Sequence, residues 1–153
     1  MGHIIALVDK GLVFSFKSFE KKYSSLEGGS NDYQISTPRL QGLFLELKDI
    51  IHPLNGEFAM ADNMVDTGKY LDAEYVFGKD VVWMELAYSD VQNVIGEVAA
   101  IARKHKVALY DIDGKRVFLP SGLMVNKKTD MARDWGVALA VAFVMLLTLL
   151  VNL

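Results

Sequence analysis

The residues with the greatest capacity for chemistry lie between Gly56 and Glu74. Glu57, Asp62, Asp66, Asp72 and Glu74 stand there with a single lysine, Lys69, and Tyr70 and Tyr75 lie among and just beyond them. Carboxylates at this density could hold a divalent cation, form a general acid/base pair, or attract a basic protein. A calcium loop of the EF-hand type needs acids at positions 1, 3 and 5, Gly at 6 and Glu at 12, and neither this stretch nor Asp111-Ile112-Asp113-Gly114 meets that pattern. For glycoside hydrolysis two carboxylates must flank one bond, and nothing in the spacing selects two of these five. Steering of a basic partner asks only for exposure, with tyrosines beside the acids as interface anchors. The competing reading of Tyr70, Tyr75 and Phe77 is that they pack beneath the loop.

Other constellations are missing. His3, His52 and His105 fall in three separate elements with no HxH, HxxxH or HExxH spacing, so no metal site is expected. The chain has no cysteine, which removes a disulfide framework, a thiolate zinc site and a cysteine nucleophile. No GxSxG, GxxxxGK[ST] or strand-following GxGxxG occurs, and no cofactor is implied. The sequence therefore supports no enzymatic activity.

The elements that must position these residues follow from periodicity. HIIALV, residues 3 to 8, has the length of a buried strand. Phe19, Tyr23 and Leu26 suggest a short helix that Gly28-Gly29 ends. Thr37 as N-cap and Pro38 at the first helical position open an amphipathic helix that carries Leu40, Leu43, Phe44, Leu47, Ile50 and Ile51 toward His52-Pro53. Residues 55 to 79 read as a long acidic-edged loop with room for one short element inside it. VVWMELAY, residues 81 to 88, predicts a central strand with Trp83 in the core. Ser89-x-x-Gln92 forms a capping box for a helix whose stripe is Val91, Val94, Ile95, Val98 and Ala102, with Arg103, Lys104 and His105 in its last turn. Residues 107 to 119 predict a hairpin around Asp113-Gly114. The expected fold is α+β: two layers, a small mixed sheet covered by helices on one face, and a C-terminal hydrophobic helix. Domain organisation is expected as 1–120 folded, 121–134 linker and 135–153 apolar helix.

Charge is uneven, with 13 basic against 17 acidic residues up to position 120 and 3 against 2 beyond it. Nucleic acid is thus a poor partner. The N-terminus lacks a basic n-region and Ala6 stands where a myristoylation site wants Ser or Thr, so neither a cleavable leader nor that lipid is expected. From Trp135 to Leu153 no side chain is charged. At about 1.5 Å per residue this run is roughly 28 Å long, the minimum for a membrane span. Lys127, Lys128 and Arg133 precede it, and Trp135 stands at the boundary where an interfacial aromatic belongs. Gly136, Val137, Leu139, Val141, Phe143, Val144, Leu146, Leu147, Leu149 and Leu150 leave no polar face, so lipid is expected to cover them, with a groove on a partner and the protein's own core as rivals. The basic flank orients the folded domain toward the cytoplasm.

The stretch DVVWMELAYSDVQNVIGEVAAIARKHKVALYDIDGKRVFLP, residues 80 to 120, resembles the C-terminal half of small α/β immunity-type proteins from bacterial polymorphic-toxin and type VI secretion loci. The shared signals are a strand running into a YSDV helix start, a helix closing in basic residues and histidine, then Tyr110-Asp111 and a short final strand ending at Pro120. The opening HIIALV followed by a helix also fits. The resemblance implies a protein that binds a cognate toxin and has no catalytic residues. Joined to the tail, it makes the leading expectation an immunity protein anchored in the bacterial inner membrane. The alternatives are a soluble toxin-binding or chaperone-like protein whose apolar helix docks on its partner, and a small carboxylate-dependent hydrolase. Homo-oligomerisation is left open.

Overall fold

The structure, a computed structural model, describes residues 2–9, 16–23, 29–61 and 71–126. The chain forms strand β1 (Gly2–Val8), helix α1 (Phe16–Lys22), a 3-10 turn (Tyr33–Ile35), helix α2 (Pro38–Leu47), strands β2 (Ile51–Pro53), β3 (Leu71–Phe77) and β4 (Val81–Ala87), helix α3 (Tyr88–Lys104), and strands β5 (Ala108–Asp111), β6 (Arg116–Phe118) and β7 (Met124–Asn126). The strands make one sheet in the order β2-β3-β4-β1-β5-β6-β7. Only β2 and β3 run parallel; every other pair is antiparallel. The α+β class and the mixed sheet are as expected, but the sheet is seven-stranded rather than small.

Alternation along the strands builds two cores. On one face Ile5 and Leu7 of β1, Tyr75 and Phe77 of β3, Val82, Met84 and Leu86 of β4 and Leu109 of β5 pack with Leu40, Leu43, Phe44 and Leu47 of α2 and Val91, Val94 and Val98 of α3. On the other face Ala6, Val8, Val81, Ala108, Tyr110 and Val117 pack with Phe16 and Phe19 of α1. The period of two sends neighbouring residues to opposite sides, so each central strand serves both cores. The expectation of helices on one face is therefore corrected. Phe19 stacks on Tyr110 with ring centroids 4.1 Å apart and tilts against Trp83 at 5.7 Å, which ties α1 to the face opposite α2 and α3.

Helix α2 begins as expected: the Thr37 hydroxyl accepts from the Leu40 amide and Pro38 occupies the first turn. It stops at Leu47, earlier than its apolar stripe suggests, and Ile51–Pro53 becomes the edge strand beside β3. Pro53 has no N–H to give, which an edge strand tolerates. The expected loop of residues 55 to 79 is the larger correction, because Leu71–Phe77 is a strand between β2 and β4. Its alternation is Ala73, Tyr75 and Phe77 inward with Asp72, Glu74 and Val76 outward, and the charged outward residues hid a period of two in sequence. Helix α3 starts at Tyr88 with Ala87 at the cap position and no side-chain cap bond, so Ser89 is not the cap. The sheet also continues past Pro120, since Met124–Asn126 pairs with β6 inside the segment expected as a linker. Residues 135–153, where the hydrophobic helix was expected, lie outside the described residues. Among the described residues no helix is long and apolar enough to cross a membrane.

Candidate interaction surface

The structure separates the acids that sequence grouped together. Asp72 and Glu74 project from the same side of β3, and Glu74 stands directly across from Glu85 of β4. Glu74 and Glu85 are exposed, and Asp72 is half-buried beside the partly buried His52, its register partner on β2. This side of the sheet is the one that α1 covers farther along, at β1 and β5. Three carboxylates thus share the open part of one sheet face. Glu85 was not among the expected site residues. Its signal was present in VVWMELAY, where inward Val82, Met84 and Leu86 force the residue between them outward.

Neighbouring strands hold Glu74 and Glu85 opposite each other, a like-charge arrangement that costs stability. Glu85 relieves part of it by leaning toward β1. A Cβ added at Gly2 would stand 2.1 Å from Glu85 Oε1, so the glutamate lies over the space that glycine leaves open, on the side away from β3.

Glu57 sits elsewhere. It is exposed at a polar hollow of about 510 Å³ that Ser30, Asn31, Asp32 and Tyr33 also line. The turn before it requires Gly56, whose φ is +80° and whose added Cβ would meet the Asn31 carbonyl oxygen at 2.8 Å. Asn55 fastens this segment to β3: its side-chain amide donates to the Tyr75 carbonyl at 2.7 Å and its oxygen accepts from the Tyr75 amide at 2.9 Å.

Tyr75 is a correction. The expected interface anchor is 1% exposed, packs against Phe44 and Phe77 and donates its phenol to the Ile51 carbonyl at 2.9 Å. Burial pushes its ionisation above the ordinary tyrosine value. It lies on the inward side of β3 and packs in the core against α2 rather than beneath a loop. Asp62, Asp66 and Tyr70 lie outside the described residues.

Two polar clusters hold the ends of the sheet. At one end Asp111 is fully buried. It meets His3 Nε2 at 2.6 Å through Oδ1, accepts the Gly114 amide at 2.8 Å on the same oxygen, and takes both Arg116 Nε and Nη2 on Oδ2 at 2.9 and 2.6 Å. Two guanidinium donors on one oxygen and a fixed amide on the other replace the water that a buried carboxyl group gives up. Gly114 is required for close approach: an added Cβ would stand 2.1 Å from Asp111 Oδ2. The left-handed residue of this turn is Lys115, at φ 53°. At the opposite end Asp9 accepts from the Thr37 hydroxyl and from Arg39, while Asp80 accepts from Lys22 and Tyr23 at 2.9 and 3.0 Å. Partial burial pushes the Asp80 carboxyl up, but the bonds from Lys22 and Tyr23 outweigh it and hold the group below its usual range.

These clusters join α1, α2 and the β5–β6 turn to the sheet, and no buried side-chain polar atom among the described residues lacks a hydrogen-bond partner. The described residues also contain no group of three or more potential metal ligands. In comparison with known proteins, no family model, no curated protein and no solved structure matches the chain.

Proposed function

We propose that the chain is an immunity protein whose α+β domain binds and neutralises a cognate bacterial toxin, anchored to the inner membrane by residues 135–153 with the domain on the cytoplasmic side. The observation that supports toxin binding is the acidic face of Asp72, Glu74 and Glu85. The fold gains nothing from setting two glutamates opposite each other, whereas a basic partner would be steered by them and would neutralise their repulsion on docking. The uncharged run from Trp135, preceded by Lys127, Lys128 and Arg133, supports the anchor and its orientation.

Co-purification of the full chain from membranes of its native host tests the first part. A stoichiometric basic protein whose toxicity the chain suppresses is the expected result. Suppression and binding that survive Glu74→Lys with Glu85→Lys, in a protein that still folds, would remove the acidic face from the site. Recovery of the full chain in the carbonate-soluble fraction would remove the anchor.

A further inference from the structure

The loop that joins β6 to β7 and the first residue of β7 expose two consecutive large apolar side chains, Leu123 at 65% and Met124 at 52%. Antiparallel pairing of Leu109 with Phe118 brings this loop to the end of the sheet where α3 finishes and β5 begins. Beside the loop Arg103 and Lys106 are exposed, while the carboxylates of that end, Asp9, Asp80 and Glu46, are each paired with a cation; Arg103 reaches the loop, since a Cβ added at Gly122 would lie 3.3 Å from its Nη1. A groove of about 220 Å³ runs behind the loop between the small residues Gly96, Ala99 and Ala100 of α3 and Phe118. Apolar side chains at a tip with cations around them match the interface of a bilayer with anionic headgroups.

We propose that the β6–β7 loop docks the domain on the surface of an anionic membrane, with Leu123 and Met124 entering the headgroup region and Arg103 and Lys106 facing lipid phosphates. The inference rests on the membrane anchor proposed above. Eight residues lie between Asn126 and Trp135, and the nine steps along the chain, at about 3.3–3.6 Å each, reach at most roughly 32 Å. A bilayer-inserted tail therefore keeps β7 close to the lipid, and tethering turns weak surface affinity into an occupied contact. The docked orientation leaves the acidic face free. Five strand spacings separate β3 from β7 in the sheet, roughly 24 Å at about 4.8 Å each.

The absence of cysteine makes the test direct. The full chain carrying Leu123→Cys is labelled with an environment-sensitive fluorophore and added to phosphatidylglycerol/phosphatidylcholine vesicles; Ile35→Cys, exposed near the other sheet edge, is the control. The expected result is co-flotation of both variants, with a blue-shifted label at position 123 that is roughly threefold less accessible to acrylamide than the label at 35, as for a side chain sunk into the interface. Arg103→Glu with Lys106→Glu should abolish much of that difference while the melting curve stays in place. Co-flotation with equal accessibility at 123 and 35 overturns the docking and leaves the anchor standing. Failure to co-float overturns both. Protection at 123 before vesicles are added assigns the loop to a contact within the protein and overturns the docking as well.

Discussion

Replacing Glu85 with lysine should make the domain more stable and its binding to the proposed basic partner weaker at once. Glu85 faces Glu74 across antiparallel β3 and β4, and cross-strand charge pairs contribute about 0.2–1 kcal/mol relative to neutral ones, with the sign set by the charges. Glu85→Lys removes a repulsion and adds an attraction. Both side chains are exposed, so solvent screening holds the gain to the lower part of that range, about 0.5 kcal/mol at low salt. For a domain of this size that is a rise in Tm of about 1–4 °C. Differential scanning calorimetry of four proteins settles it: the parent, Glu85→Lys, Glu74→Lys, and the double variant, in which two lysines face each other and the gain should vanish. Near-molar salt shortens the Debye length to about 3 Å and should flatten all four to one value. A stabilisation that persists in high salt, or that the double variant retains, would show that lysine acts through packing and would refute the electrostatic reasoning. Against the basic toxin proposed above as its partner, the same single reversal should slow association by several-fold, up to about tenfold for the double variant at low salt.

The buried clusters yield further expectations. Asp111→Ala leaves the Arg116 guanidinium, His3 and the Gly114 amide without their shared acceptor and should cost about 3–5 kcal/mol in urea titrations; Gly114→Ala, whose Cβ would collide with the same carboxylate, should be of similar severity. Tyr75→Phe removes the donor to the Ile51 carbonyl and should cost about 1–2 kcal/mol of stability without changing affinity for the proposed partner in a binding titration, since the ring faces the core. Glu46 accepts from Lys104 and His105, first of all the lysine, and these bonds lower its pKa from the ordinary 4.5. The folded state then binds fewer protons than the unfolded one below that value, so the contribution is present above pH 4.5 and is lost as pH falls through the lowered folded pKa. Thermal melts across that acid range should show the parent losing stability more steeply than Glu46→Gln.

Several elements are legible in the sequence because their signals are local. The Thr37-Pro38 start of α2, the apolar strand at residues 3 to 8, the stripe of α3 and the β5–β6 hairpin each follow from a cap, a turn or a period that neighbouring residues carry among themselves. The same locality makes Glu85 outward once β4 is recognised. What failed was β3. Its outward Asp72 and Glu74 are poor strand formers, and only pairing with β2 and β4 stabilises them there. Tyr75 followed that error, because the inward or outward side of a residue depends on strand register, and one residue of alternation separates an interface anchor from the core. The buried union of His3 with Asp111 joins positions 108 residues apart, and no spacing rule spans such a distance.

Sequence by itself determined the alternating and helical hydrophobic stripes, the absence of cysteine chemistry and the uncharged run after Trp135, all properties of composition and short-range order. Tertiary structure alone decided that α1 crosses to the opposite face, that Asp111 and His3 meet, and that Glu74 confronts Glu85 on an open sheet face. Each of these is set by which strands become neighbours, and strand order is a global choice made by burying two cores at once.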